Sequence, residues 1–228
     1  ETALPAVPRD ALLLKVKSAT FGPPKDEVIV LLGGEGCGKS WIFTQGWIAT
    51  ENAPLTLIIP ASEIPHGLTI TNEQDFLVQQ IIRQTGGVSD ERAIARWQNI
   101  LSHWSSQEPP THPNIVLFVD GLNQRPSYAW PSWLDSMAYQ LSQIGGQLVI
   151  SVRNGYFDTR LRGALTTPVN IIPVKEWTET ELLDILSERE VPTGNLSTKV
   201  IATLRNPRVL GIAFELLKEG SIRDFDEL

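Results

Sequence analysis

A single cysteine in 228 residues excludes an internal disulfide, and the chain suits a reducing, cytoplasmic setting. The three histidines, His66, His103 and His112, stand apart from one another and give no metal-ligand spacing. No stretch of about 18 apolar residues occurs, so no segment reads as a membrane span. No basic-then-apolar leader reads as a signal peptide. Basic residues are outnumbered, with 19 Lys and Arg against 26 Asp and Glu and a net charge of −7. That balance argues against direct nucleic-acid binding over much of the surface. Internal repeats and low-complexity tracts are missing as well. What is present is a chain that is 42 % hydrophobic, enough for one α/β domain and a small helical appendage.

Apolar runs of strand length occur at Val28–Leu32, Leu55–Ile59, Ile115–Val119, Leu148–Val152 and Val169–Val174. Each is continuous rather than alternating, as in strands buried on both faces of a parallel sheet. Helical spacing links Ile94, Trp97, Leu101 and Trp104, and again Trp130, Trp133, Leu134, Met137, Leu141 and Ile144. These tryptophans read as core anchors. The alternation predicts a three-layer α/β fold with a mostly parallel five-stranded sheet over residues 1–175. From about residue 176 the pattern is all helical. Thr178 to Glu181 reads as a capping box, Asn206 and Pro207 as the start of a further helix, and Gly220 as its stop. A helical lid over 176–228 is expected. The start at Glu1 and the charged end Arg223–Leu228 read as those of a piece cut from a longer chain, which would leave the lid truncated.

The stretch Gly33-Gly34-Glu35-Gly36-Cys37-Gly38-Lys39-Ser40 fits G-x-x-x-x-G-K-[ST] and directly follows an apolar strand. Glycines let the backbone curl around a phosphate, and the N–H groups of the loop and of the helix that follows form an anion cradle. Lys39 would reach the outer phosphates, Ser40 would ligate Mg²⁺, and Trp41 opens the helix beside the ligand. Cys37 sits mid-loop, where backbone faces the ligand, and carries no redox role.

Asp120 closes the apolar strand Ile115–Val119 and pairs with the loop as a second holder of Mg²⁺. Arg153 ends the next strand at the same sheet edge, where open α/β sheets bind ligands, and would point at the γ-phosphate. A surface ion pair is the plainer reading of that arginine. Arg160 and Arg162 read as a solvated face.

In order, the phosphate loop, Asp120-Gly121-Leu122-Asn123, Ser151-Val152-Arg153 and Asn206-Pro207-Arg208-Val209-Leu210 resemble the STAND class of signalling ATPases. The likeness is nearest to its NACHT-like branch and to Avs-type prokaryotic antiviral receptors, and covers roughly residues 5–220. It implies the additional-strand class of P-loop fold, ATP or ADP with Mg²⁺ as ligand, and slow hydrolysis in a nucleotide-controlled switch. It also implies self-association through the ATPase region of the whole receptor, triggered by a viral protein bound elsewhere. A small residue after the Mg²⁺ aspartate, here Gly121, sets that class apart from AAA+ motors. The resemblance places Pro207 against the adenine; the plainer reading is a helix-start residue. One departure stands out: many relatives carry an acid where this chain has Gln124. Glutamine orients a water but does not accept its proton as a carboxylate does. Gln124 fits either a natural slow switch or an introduced hydrolysis block. Two further readings stay open, a P-loop kinase or transferase and a scaffold that holds ATP without cutting it.

Overall fold

The computed structural model describes residues 9–65, 73–191, 196–222 and 225; His66 and most of the 223–228 tail lie outside them. Five strands, β1 (Val28–Leu32), β2 (Leu55–Pro60), β3 (Ile115–Asp120), β4 (Gln147–Val152) and β5 (Val169–Pro173), form one sheet. Their order is β2-β3-β4-β1-β5, and every pair is parallel. The strand that separates the loop-bearing β1 from the Asp120-bearing β3 is therefore β4. Leu55–Pro60, which lies between the two motifs in sequence, is an edge strand.

The strand pleat divides the apolar residues into two cores. Val28 and Val30, with Ile115, Leu117, Val119, Leu148, Ile150 and Val152, face one side. There they meet helices α3 (Glu73–Gln84), α4 (Glu91–Ser105) and α5 (Trp130–Gln143). Ile29 and Leu31, with Val116, Phe118, Val149 and Ile172, face the other, packing on α1 (Asp10–Phe21) and α2 (Lys39–Ile48). Phe43 of α2 stacks on Phe118 with ring centroids 4.0 Å apart. Burial on both faces holds for the central β1, β3 and β4. The edge strands β2 and β5 are only partly buried, because each has a neighbour on one side alone. Trp130 and Trp133 are core residues, whereas Trp97 and Trp104 pack against the core half-buried.

Past β4 the chain forms a short turn, α6 (Asn154–Tyr156), that runs on into a π-type turn at Phe157–Leu161. Arg162 pairs there with Asp158 at the surface. After β5 come α7 (Glu179–Glu188), α8 (Thr198–Leu204) and α9 (Pro207–Glu219). The Thr178–Glu181 capping box is formed in both directions, Asn206 caps α9 with Pro207 in its first turn, and Gly220 ends it at φ 72°. Leu182, Ile185, Leu186, Leu204, Leu210, Ala213 and Phe225 make a third core of their own. Among the described residues no helix is long and apolar enough to cross a membrane.

Candidate functional site

β1 delivers the glycine-rich loop to the carboxyl edge of the sheet, and α2 starts at its end with Lys39. Gly36 and Gly38 lie at φ 74° and 84°, the left-handed region that only glycine enters cheaply. At Gly36 space is short too: a Cβ there would collide with the side-chain oxygen of Asn206. The loop thus touches the start of α9 directly. Asn206 Nδ2 donates to the Glu35 carbonyl at 2.8 Å, and the Arg208 N–H donates to the Gly36 carbonyl at 3.3 Å.

Lys39 turns its ammonium into the loop, donating to the carbonyls of Gly33 at 3.1 Å and Gly34 at 2.6 Å. Burial pulls its pKa below the ordinary lysine value, while Cys37 and Asp120 oppose that shift. Cys37 is buried, and burial pushes its thiol pKa up, which agrees with an inert side chain.

Ser40 Oγ donates to Asp120 Oδ1 at 2.8 Å. Ser151, at the buried end of β4, donates its hydroxyl to the same carboxylate oxygen and accepts the Gly121 N–H at 2.9 Å. Asp120 is thus oriented from both sides, and Gly121, at φ 77°, makes the turn into the short helix Leu122–Gln124. Two oxygen donors side by side, a hydroxyl and a carboxylate, suit a hard divalent cation such as Mg²⁺, with the remaining ligands from water and phosphate. Among the described residues no group of three or more His, Cys, Asp or Glu is placed to hold a metal by itself.

These groups line one cavity of about 650 Å³ between the sheet edge and the C-terminal helices. Its polar lining includes Lys39, Ser40, Asp120, Asn123, Gln124 and Arg153. Its apolar lining includes Leu13, Trp41, Trp177, Ile185, Pro207 and Phe214. Of the residues singled out in the sequence, Glu35, Gly36, Cys37, Gly38, Lys39, Ser40, Trp41, Asp120, Gln124, Arg153 and Pro207 all come to this cavity. Gly33 and Gly34 stand behind it, and their carbonyls engage Lys39. Arg153 does make an ion pair, but with the loop itself: its guanidinium lies 2.8 Å from the Glu35 carboxylate.

Sequence reasoning missed three contributors. Ser151 was legible only as part of a strand-end triplet. Arg208 pairs with Glu35 at 3.3 Å from the first turn of α9. Arg9 ties the start of α1 to the chain ahead of α7, through the Lys175 and Glu176 carbonyls, and to α7 itself, through a 3.3 Å pair with Glu181.

The architecture, with a parallel five-stranded sheet, a glycine-rich loop after β1 and an acid at the end of β3, is that of the α/β P-loop ATPase fold. Solved structures similar to it include the ORC2 protein of Aeropyrum pernix in ADPNP–ADP complexes. That match has a TM-score of 0.58 and 12 % identity, over 98 % of this chain and 67 % of the other. A Walker-type ATPase of Pyrococcus abyssi matches at 0.53 and 14 %, over 96 % and 69 %. The Aeropyrum pernix ORC1 protein in complex with DNA matches at 0.54 and 16 %, over 97 % and 64 %. The chain spans about two thirds of the length of each, and at such identities the likeness is one of fold. No protein-family model and no curated protein matches the sequence.

Proposed function

We propose that this chain is the ATP-binding, slowly hydrolysing switch of a STAND-class receptor, with the nucleotide held between the α/β unit of residues 1–175 and a helical lid at 176–228. The observation that supports this reading is the cavity that joins the phosphate loop to the first turn of α9. The polar lining has the donors for a triphosphate, and the apolar lining has side chains for a purine. Pro207 stands beside the loop: its ring carbons and the Trp41 Cβ are the nearest contacts a Cβ at Gly38 would meet.

Each residue has a task under this reading. Loop N–H groups and the N-terminus of α2 receive the phosphates. Lys39 exchanges its two loop carbonyls for phosphate oxygens and moves no proton. Ser40 and Asp120 would hold Mg²⁺, whose positive charge would offset that of the outer phosphates. Gln124 orients the attacking water without taking its proton, so turnover is slow. Arg153 senses the outer phosphate. In the whole receptor the nucleotide state would govern self-association of the ATPase region, in an antiviral setting where a viral protein is the trigger. Gly121, Arg153 and the Asn206-Pro207-Arg208 run support this class over a motor. The acidic balance favours a role without direct DNA contact, unlike the ORC1 neighbour. A small-molecule kinase would need a second acceptor pocket. A scaffold that holds ATP uncut shares every feature except turnover.

The test is to denature the purified protein, identify any released nucleotide, and titrate wild type and Lys39→Ala with Mg²⁺-ATP. Bound ADP or ATP is expected, with affinity lowered by about tenfold to a hundredfold in the variant, as for loss of a charge-assisted hydrogen bond. Absence of nucleotide from wild type even after soaking, or full affinity in Lys39→Ala, overturns the reading.

A further inference from the structure

Glu35 occupies a position that the phosphate-loop pattern leaves free, and a carboxylate there is electrostatically contrary to the loop's task. It stands at the mouth of a cradle built for anions. The structure shows what it engages instead of a phosphate. Oε2 lies 2.8 Å from Arg153, which follows β4, and Oε1 lies 3.3 Å from Arg208, in the first turn of α9. The two guanidiniums come from different elements, the end of β4 and the first turn of α9, and both line the cavity together with Lys39, Ser40 and Asp120. Hydrogen bonds to the loop backbone run alongside, from the Asn206 side-chain amide to the Glu35 carbonyl and from the Arg208 N–H to the Gly36 carbonyl.

We propose that the Glu35 carboxylate is a built-in competitor for the outer phosphate: it holds Arg153 and Arg208 together until a nucleoside triphosphate takes them. The inference rests on the nucleotide-binding reading above and specifies how that site tells ATP from ADP. All three side chains are about half exposed or more, at 57 % for Glu35, 47 % for Arg153 and 66 % for Arg208. Exposed pairs of this kind are weak. A terminal phosphate, with greater charge and three acceptor oxygens in a geometry that guanidinium matches, displaces a single carboxylate from them. A diphosphate lacks that terminal group and leaves the pairs in place. Glu35 is a positioning residue on this account. It sets the concentration at which ATP captures the two arginines, and so links strand end and helix start to nucleotide state.

The test is a binding cycle on the 228-residue chain, with Mg²⁺-ATP and Mg²⁺-ADP titrated calorimetrically. The proteins are wild type, Glu35→Gln, the double variant Arg153→Ala/Arg208→Ala, and the triple combination. Glu35→Gln keeps the side chain's shape at an exposed position, and a melting curve checks its fold. ATP affinity is expected to rise about threefold to tenfold in Glu35→Gln, with ADP nearly unchanged. In the background lacking both arginines the gain should vanish. Equal tightening for ATP and ADP would show only relief of general repulsion and would overturn the proposal. So would an unchanged or weaker ATP affinity, or a gain that survives without the arginines. In each of these cases wild type still binds nucleotide through Lys39, and the broader reading stands. A wild type that binds no nucleotide ends both.

Discussion

Asp120 shares one carboxylate oxygen between the hydroxyls of Ser40 and Ser151, so its position is set before any cation arrives. Gln124 has no comparable restraint. It is exposed at the end of a short helical turn, its backbone N–H bonded to the Gly121 carbonyl, and its amide lies nearest to where a Cβ at Gly121 would be. Glycine at that point leaves the amide its room. Replacing Gln124 by Glu supplies a proton acceptor in the same place. Steady-state ATP hydrolysis should then rise by about a hundredfold, the usual scale of a positioned general base. An unchanged rate, with nucleotide still bound, would remove Gln124 from the chemistry and favour the scaffold. At this scale the site was largely legible in the sequence, because the phosphate loop, Asp120 and Arg153 are read from strand ends, and strand ends share one edge. Glu35 and Arg208 were not legible as a pair. They are 173 residues apart, and nothing local to either one signals the other.

Among the strands, β5 is the one least secured by burial, with a largely exposed or half-buried pattern. The approach to it is fixed from α5. The carboxylate of Asp135 accepts the N–H groups of Thr166 and Thr167 and the Thr166 hydroxyl, at 2.8 to 3.1 Å. Burial alone would raise its pKa; the hydrogen bonds outweigh it and hold the carboxyl below its ordinary 3.8. Because the folded value is the lower one, the stabilisation is present above pH 3.8 and is lost as pH falls through the folded value. Asp135→Asn should therefore be less stable than wild type near neutrality, and urea titrations should show the gap closing in strong acid. A gap of constant size would assign the loss to packing instead of charge. The element pattern itself was readable where apolar residues are periodic or capped, as at α5, α7 and α9. Helix α1 was not anticipated: Leu12, Leu13 and Leu14 fall in a row, and a run of that kind has no stripe to betray a helix. The neighbour of β1 was also beyond reach, because continuous apolar strands carry no mark of which strand sits beside which.

At the scale of the whole molecule, the described residues form three apolar cores, two on the sheet's faces and one within the C-terminal helices. Polar links join the helices to the rest, through Arg9, Asn206 and Arg208, and water can replace such links. The apolar lining of the cavity includes Leu13 from α1, Trp41 from α2 and Ile185 and Phe214 from the C-terminal helices, with no single core claiming all of them. A ligand that fills this space therefore acts as interior packing, and its thermodynamic trace should be that of a small folding event. Titrations of ATP over a range of temperatures should give an enthalpy that becomes steadily more negative on warming, a negative heat-capacity change from dehydrated apolar surface. Pro207→Gly and Phe214→Ala should each flatten that slope. A flat slope in wild type would mean the base stays in water and only the phosphates are held.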